Sequence, residues 1–186
     1  MSEMHLRALP LPGLFSLYHR RHADPRGQFS RLFCEGTLGA LGRPFHIRQI
    51  NHSMTAESGS VRGLHYQTAA APEAKIISCV RGAVWDVAVD LNPESATFLQ
   101  WHAERLETGD GRSLLIPSGF AHGFQALTDN AELLYLHSAD YAPEHEAGLS
   151  ANDPRLGIAW PLPVKNLSTR DASHPLLDSS FAGVRV

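Results

Sequence analysis

Alternation with a period of two residues, broken every few positions by proline or glycine, is the feature that most limits how this chain can fold. In Ala83-Val84-Trp85-Asp86-Val87-Ala88-Val89-Asp90, Trp85, Val87 and Val89 share one face while Asp86 and Asp90 share the other. A pleated strand sorts its side chains this way, and a helix does not. From Phe98 to Glu104, Leu99, Trp101 and Ala103 alternate with Gln100, His102 and Glu104, which predicts a second strand over 98–104. Twelve prolines and fifteen glycines punctuate such segments, and no long stretch carries helical periodicity. The expected class is all-β, a sandwich or barrel with a few short helices.

Length and charge narrow the class of partner. A chain of 186 residues with 43% hydrophobic content suits one domain over 1–186 with a core of its own. A net charge of −3 gives no electrostatic reason to expect nucleic acid or a membrane surface. No apolar run reaches the ~18 residues of a spanning helix. The first residues, Met1 to Arg7, lack the apolar core of a signal peptide, so a cytoplasmic protein is expected. Cys34 and Cys79 make no paired spacing of disulfide or zinc-ribbon type. From Pro143 onward loop formers dominate, and the stretch from about 150 to 186 reads as an irregular tail wrapping the barrel.

Several predicted strands set a polar side chain among apolar neighbours on one face. Gly63, His65 and Gln67 line up, as do Lys75, Ile77 and Cys79, Leu133, Tyr135 and His137, and Ile47, Gln49 and Asn51. A buried polar group left unpaired costs about 1–3 kcal/mol, so a purely structural core avoids this pattern and a ligand-holding barrel has reason for it. A base, a cation and a phenol aimed into one pocket can remove a proton beside a carbonyl and return it from elsewhere.

Gly111, five residues, then Pro117-Ser118-Gly119-Phe120-Ala121-His122 resembles the second cupin motif, and Gly59 followed by His65 resembles the start of the first. The fold this implies is a cupin-type jelly-roll. Metal-binding cupins continue as His-x-His and then supply a glutamate. Gln67 stands at the second histidine position, and Glu73 lies too far along. An amide is a poor transition-metal ligand, and two histidines fall short of the usual three protein ligands, so no metal is expected.

Arg62 to Gln67, Arg81 to Asp90, Ile116 to Phe124, Ala139 to Glu146, Asp153 to Pro161 and Leu167 to Asp171, in this order, resemble the dTDP-4-dehydrorhamnose 3,5-epimerase family of sugar-nucleotide epimerases. The resemblance runs from Asp24 to Asp171. It implies an isomerase of dTDP-rhamnose biosynthesis that needs no cofactor and takes a nucleotide-diphosphate 4-keto-6-deoxyhexose. It further implies that His65 is the general base with Asp171 as its carboxylate partner. Tyr135 is then the proton donor on the opposite ring face, and Lys75 the stabiliser of the enolate oxygen at carbon 4. His122, Arg62, Arg26, Gln49, Asn51, Glu146 and Arg170 are implied as substrate contacts. Members are typically homodimers with exchanged N-terminal strands, which would let Arg26 reach the neighbouring site.

One position departs from the family pattern. Many members carry a glutamate two residues past the phenylalanine of Arg26-Gly27-Gln28-Phe29, and here that residue is Arg31. CDP- or GDP-linked keto sugars, and inversion of a single centre, therefore stay open, with a metal-dependent cupin enzyme or a non-catalytic sugar-binding barrel as more distant readings. Taken singly, each residue also has an ordinary explanation. His65 and Tyr135 could be hydrogen-bonded core residues, Lys75 an exposed strand end, Asp171 a helix cap, Arg26-Gly27 a turn, and Trp85 and Trp101 plain core.

Overall fold

The computed structural model describes residues 4–186. Its strands are β1 (Met4–Ala8), β2 (Phe15–His19), β3 (Arg21–Asp24), β4 (Gly27–Ser30), β5 (Gln49–Thr55), β6 (Val61–Gln67) and β7 (Lys75–Arg81). They continue as β8 (Ala83–Asp90), β9 (Trp101–Glu107), β10 (Arg112–Ile116), β11 (Phe120–Ala126), β12 (Ala131–His137) and β13 (Glu146–Gly148). Two short α-helices, α1 (Glu35–Ala40) and α2 (Thr169–Ala172), and a single 3-10 turn at Pro143–His145 complete the regular structure of the described residues. A six-stranded sheet in the order β1-β2-β10-β7-β12-β5 faces a five-stranded sheet in the order β13-β6-β11-β8-β9, and β3 and β4 form a separate hairpin. All strand pairings within the two large sheets are antiparallel. The all-β sandwich with few short helices is what the alternation predicted. No helix among the described residues is long and apolar enough to cross a membrane.

Between the sheets lies a core in which Ile77, Leu114, Ile116 and Leu133 of the six-stranded sheet meet Val84, Ala88, Leu106 and Phe124 of the five-stranded one. Burying each large aliphatic side chain stabilises the fold by about 1.5–3 kcal/mol. Two further apolar layers sit on the outer faces. Leu38 of α1 and Phe45 pack with Met4, Leu17 and Ile76 outside the six-stranded sheet. Leu149, Leu156, Leu177 and Val184 of the C-terminal segment cover Val87 and Val89, with Trp85 and Trp101 packed against them. This layer explains why β8 is buried on both faces. The Trp85 face is outward and roofed by the tail, whereas Asp86 faces the interior.

The strand expected over 98–104 begins only at Trp101. Leu99 instead takes a left-handed backbone (φ 62), and its N–H donates to the Asp90 carbonyl at 2.8 Å. Asp90 closes the same turn, accepting from the Asn92 N–H at 2.9 Å and from Thr97 Oγ1 at 2.6 Å. Turn chemistry outweighed alternation there.

Backbone proximity positions the first candidate histidine. At Gly63 (φ 117) a Cβ would lie 2.6 Å from Gly123 Cα, so only glycine lets β6 and β11 approach this closely. The register of β11 on β6 shifts between His122 and Phe124 at this point, leaving His122 opposite His65.

Candidate active site

One end of the sandwich opens into a cleft of about 920 Å³ lined from both sheets. From the five-stranded sheet come His65 and Arg62 on β6 and His122 on β11. From the six-stranded sheet come Tyr135 and His137 on β12, Lys75 on β7, and Gln49 and Asn51 on β5. Register makes neighbours of the latter, since Tyr135 pairs with Ile77 and Asn51, and His137 with Lys75 and Gln49. Arg170 and Asp171 of α2, with Glu146 of β13, close one side.

His65 Nε2 lies 2.8 Å from Asp171 Oδ1, and the other oxygen of that carboxylate accepts from the Gly63 N–H at 3.3 Å. Ser168, not Asp171, caps α2, accepting the Asp171 N–H at 3.0 Å, so the Asp171 carboxylate is left to turn towards β6. Burial pushes the His65 imidazole below its ordinary range; the Asp171 hydrogen bond and charge oppose this, and the Arg170 charge reinforces it. Burial alone would raise the Asp171 carboxyl, but its contacts with His65 and with the Gly63 and Ser168 donors hold it below the usual range. The resting pair is thus a neutral imidazole beside a carboxylate. With one ring nitrogen protonated towards Asp171, the other is left as a base.

His122 makes a second such pair. Its Nε2 lies 3.0 and 3.1 Å from the two oxygens of Asp86, which is wholly buried. The Tyr135 ring stands edge-on to His122, with centroids 6.0 Å apart, and stacks on His137 at 5.9 Å. Burial raises the Tyr135 phenol far above its ordinary value, and Ser53 Oγ donates to its oxygen at 3.4 Å. It therefore stays an O–H, suited to giving a proton.

Lys75 is no exposed strand end: its side chain is 12% exposed, and its ammonium lies 3.2 Å from Glu73 Oε2. Arg62 is braced by Thr55 Oγ1 at 3.0 Å and the Met54 carbonyl at 3.1 Å. Arg170 donates to Glu146 Oε2 at 2.8 Å, and the Tyr141 hydroxyl donates to the same oxygen at 2.9 Å. Of the expected site residues, Arg26 alone is outside this cleft. It sits on the exposed β3–β4 hairpin, its side chain 90% exposed and paired with Asp24 at 2.6 Å. Arg31, just past β4, is exposed as well.

Sequence reasoning singled out neither Glu73 nor His137 for the site, nor the Asp86 contact with His122, nor His174. His137 shared the Tyr135 face and Asp86 the polar face of β8, so period two carried a signal for both. His174 carried none. His65, Asp171 and His174 bring ligand atoms within 4.8 Å of one another. Arg170 Nη2 lies 2.9 Å from His65 Nε2, which sets a guanidinium charge beside this group. Gln67, at the missing cupin histidine, is oriented to donate its amide to the backbone carbonyls of His145 at 3.1 Å and Ala142 at 3.2 Å.

The family pattern described as dTDP-4-dehydrorhamnose 3,5-epimerase matches residues 8–179. The chain is 38% identical to the dTDP-4-dehydrorhamnose 3,5-epimerase of Mycobacterium tuberculosis, with 98% of this chain and 90% of that protein covered. It is 39% identical to a dTDP-4-dehydrorhamnose 3-epimerase of Streptomyces niveus, covering 94% of this chain and 84% of that one. The epimerase of Legionella pneumophila, solved in complex with dTDP-4-keto-L-rhamnose, superposes with a TM-score of 0.90 at 34% identity, covering 98% of this chain and 99% of that one.

Proposed function

This chain belongs to the dTDP-4-dehydrorhamnose 3,5-epimerase family, and from that premise we propose that it inverts carbons flanking the ketone of a dTDP-linked 4-keto-6-deoxyhexose. One observation carries the residue roles. A carboxylate-backed imidazole on one sheet and a buried, protonated phenol on the opposing sheet line the same cleft.

A hydrogen beside a ketone becomes removable when the enolate oxygen meets a pre-placed donor or cation. His65 takes the proton with its free ring nitrogen while Asp171 steadies the imidazolium that forms. Lys75 meets the oxygen at carbon 4 as negative charge develops there. Tyr135 delivers a proton from the opposite face, and the configuration inverts. Carbons 3 and 5 both flank carbon 4, so one site serves both centres. The chemistry requires only acid, base and cation, all supplied by side chains.

His122, Arg62, Gln49, Asn51, Glu146 and Arg170 hold the nucleotide-sugar, Arg62 being suited to the diphosphate. Arg26 and Arg31 act in the partner's cleft of a homodimer, carried there by the N-terminal strands of a single domain spanning 1–186. A relative named as a 3-epimerase supports inversion at carbon 3 alone as the second reading.

Incubation in D2O with dTDP-4-keto-6-deoxyglucose tests the assignment. Deuterium is expected at carbons 3 and 5, or at carbon 3 alone under the second reading, and His65→Ala is expected to abolish it, a loss of at least ~10²–10⁴-fold. Exchange that persists unchanged in His65→Ala would falsify the base assignment.

A further inference from the structure

Beside Lys75 lies a group that the reaction as described leaves unused. Glu73 sits in the loop between β6 and β7, and its side chain is 6% exposed. A carboxylate so deeply buried is costly unless each oxygen is satisfied. Here both are: Oε1 accepts from His137 Nδ1 at 2.8 Å, and Oε2 lies 3.2 Å from the Lys75 ammonium. Burial would push the Glu73 carboxyl up, but the His137 hydrogen bond and the Lys75 charge together hold it below the usual carboxylate range. His137 is itself fixed, stacked on Tyr135 and with its Nε2 3.4 Å from Asn51 Nδ2.

We propose that Glu73, anchored by His137, is a positioning residue that holds the Lys75 ammonium where the enolate oxygen forms. A lysine stem has four rotatable carbons, and a free ammonium at its end samples many positions. Electrostatic stabilisation of a transition state requires a charge that does not reorganise as the reaction proceeds. Pairing with Glu73 engages the ammonium from the loop side, and its remaining N–H donors are left for the cleft. His137 ties the same carboxylate to β12, the strand that carries Tyr135. The cation and the proton donor are thereby set in one frame on the six-stranded sheet.

The inference rests on Lys75 serving as the enolate's cation, and a double-mutant cycle separates the two claims. Glu73→Gln is expected to lower kcat about tenfold with KM within about twofold, because a contact made in the transition state is loosened. His137→Gln, which frees one carboxylate oxygen, is expected to act in the same direction and more weakly. In a Lys75→Met background, Glu73→Gln should cause no further loss of kcat. A purely structural carboxylate would cost the same in both backgrounds, and that result overturns the inference. Unchanged kcat in Glu73→Gln overturns it too. If Lys75→Met itself leaves kcat intact, the role of Lys75 fails first, and that of Glu73 with it. Matching thermal melting of each variant against the parent guards against misfolding as the cause of a loss.

Discussion

The two sheets face the same cleft with different chemistry. The five-stranded sheet presents imidazoles, and each has a carboxylate behind it: Asp171 for His65 and Asp86 for His122. The six-stranded sheet presents a phenol, an ammonium and the imidazole of His137, and its carboxylate, Glu73, is shared between that imidazole and the ammonium. In the proposed reaction His65 on the first wall takes a proton, while Tyr135 on the second gives one and Lys75 there bears positive charge. Epimerisation needs this asymmetry, because a proton removed and returned by the same wall would restore the original configuration.

The contrast can be broken on the donor side first. Tyr135→Phe should reduce inversion about 10³-fold while deuterium still enters from the His65 face, since only the returning proton is lost. Following product stereochemistry and isotope incorporation in the same sample distinguishes the two. Equal loss of both would mean that the phenol is not confined to one face.

On the base side, Asp171→Asn should lower kcat about 10²-fold, because the amide no longer holds the ring tautomer or steadies the imidazolium. Exchange and inversion should fall together here, in contrast to Tyr135→Phe. Comparing the ratio of the two rates between the variants sharpens the division of labour between the walls.

A smaller effect is expected in the pH profile. Burial depresses His65, so the neutral, active imidazole persists below the ~6.5 of a free histidine, and kcat/KM should fall only as pH drops through that lowered value. Asp171 opposes the depression, so Asp171→Asn should move the acid limb to lower pH still. An acid limb above ~6.5 in the parent enzyme would contradict a desolvated base.

Much of the site was legible because a strand displays alternate residues on one face. His65, Lys75 and Tyr135 each stood out as polar members of an apolar row, and the family resemblance joined them to Asp171 and Arg170. Glu73 was harder to see. It lies in a loop with no period to flag it, and its partner His137 is 64 positions away. His174 follows α2 in the irregular C-terminal segment, again without a pattern. Arg26 shows the opposite limit, for within this chain its hairpin stands apart from the cleft.

By itself the sequence determined the β class, the sorting of side chains onto two faces of each strand, and the proton-handling residue types at the cleft. These depend on backbone geometry that repeats every two residues. Only the tertiary structure decided which face of β8 looks inward, since the tail from Leu149 to Val184 covers the tryptophan face, burying Val87 and Val89 completely and Trp85 in part. It also decided the pairs: Asp171 reaches His65 across 106 residues, and Glu73 joins Lys75 to His137. Such contacts follow from how sheets close on one another, and a local pattern carries no record of that closure.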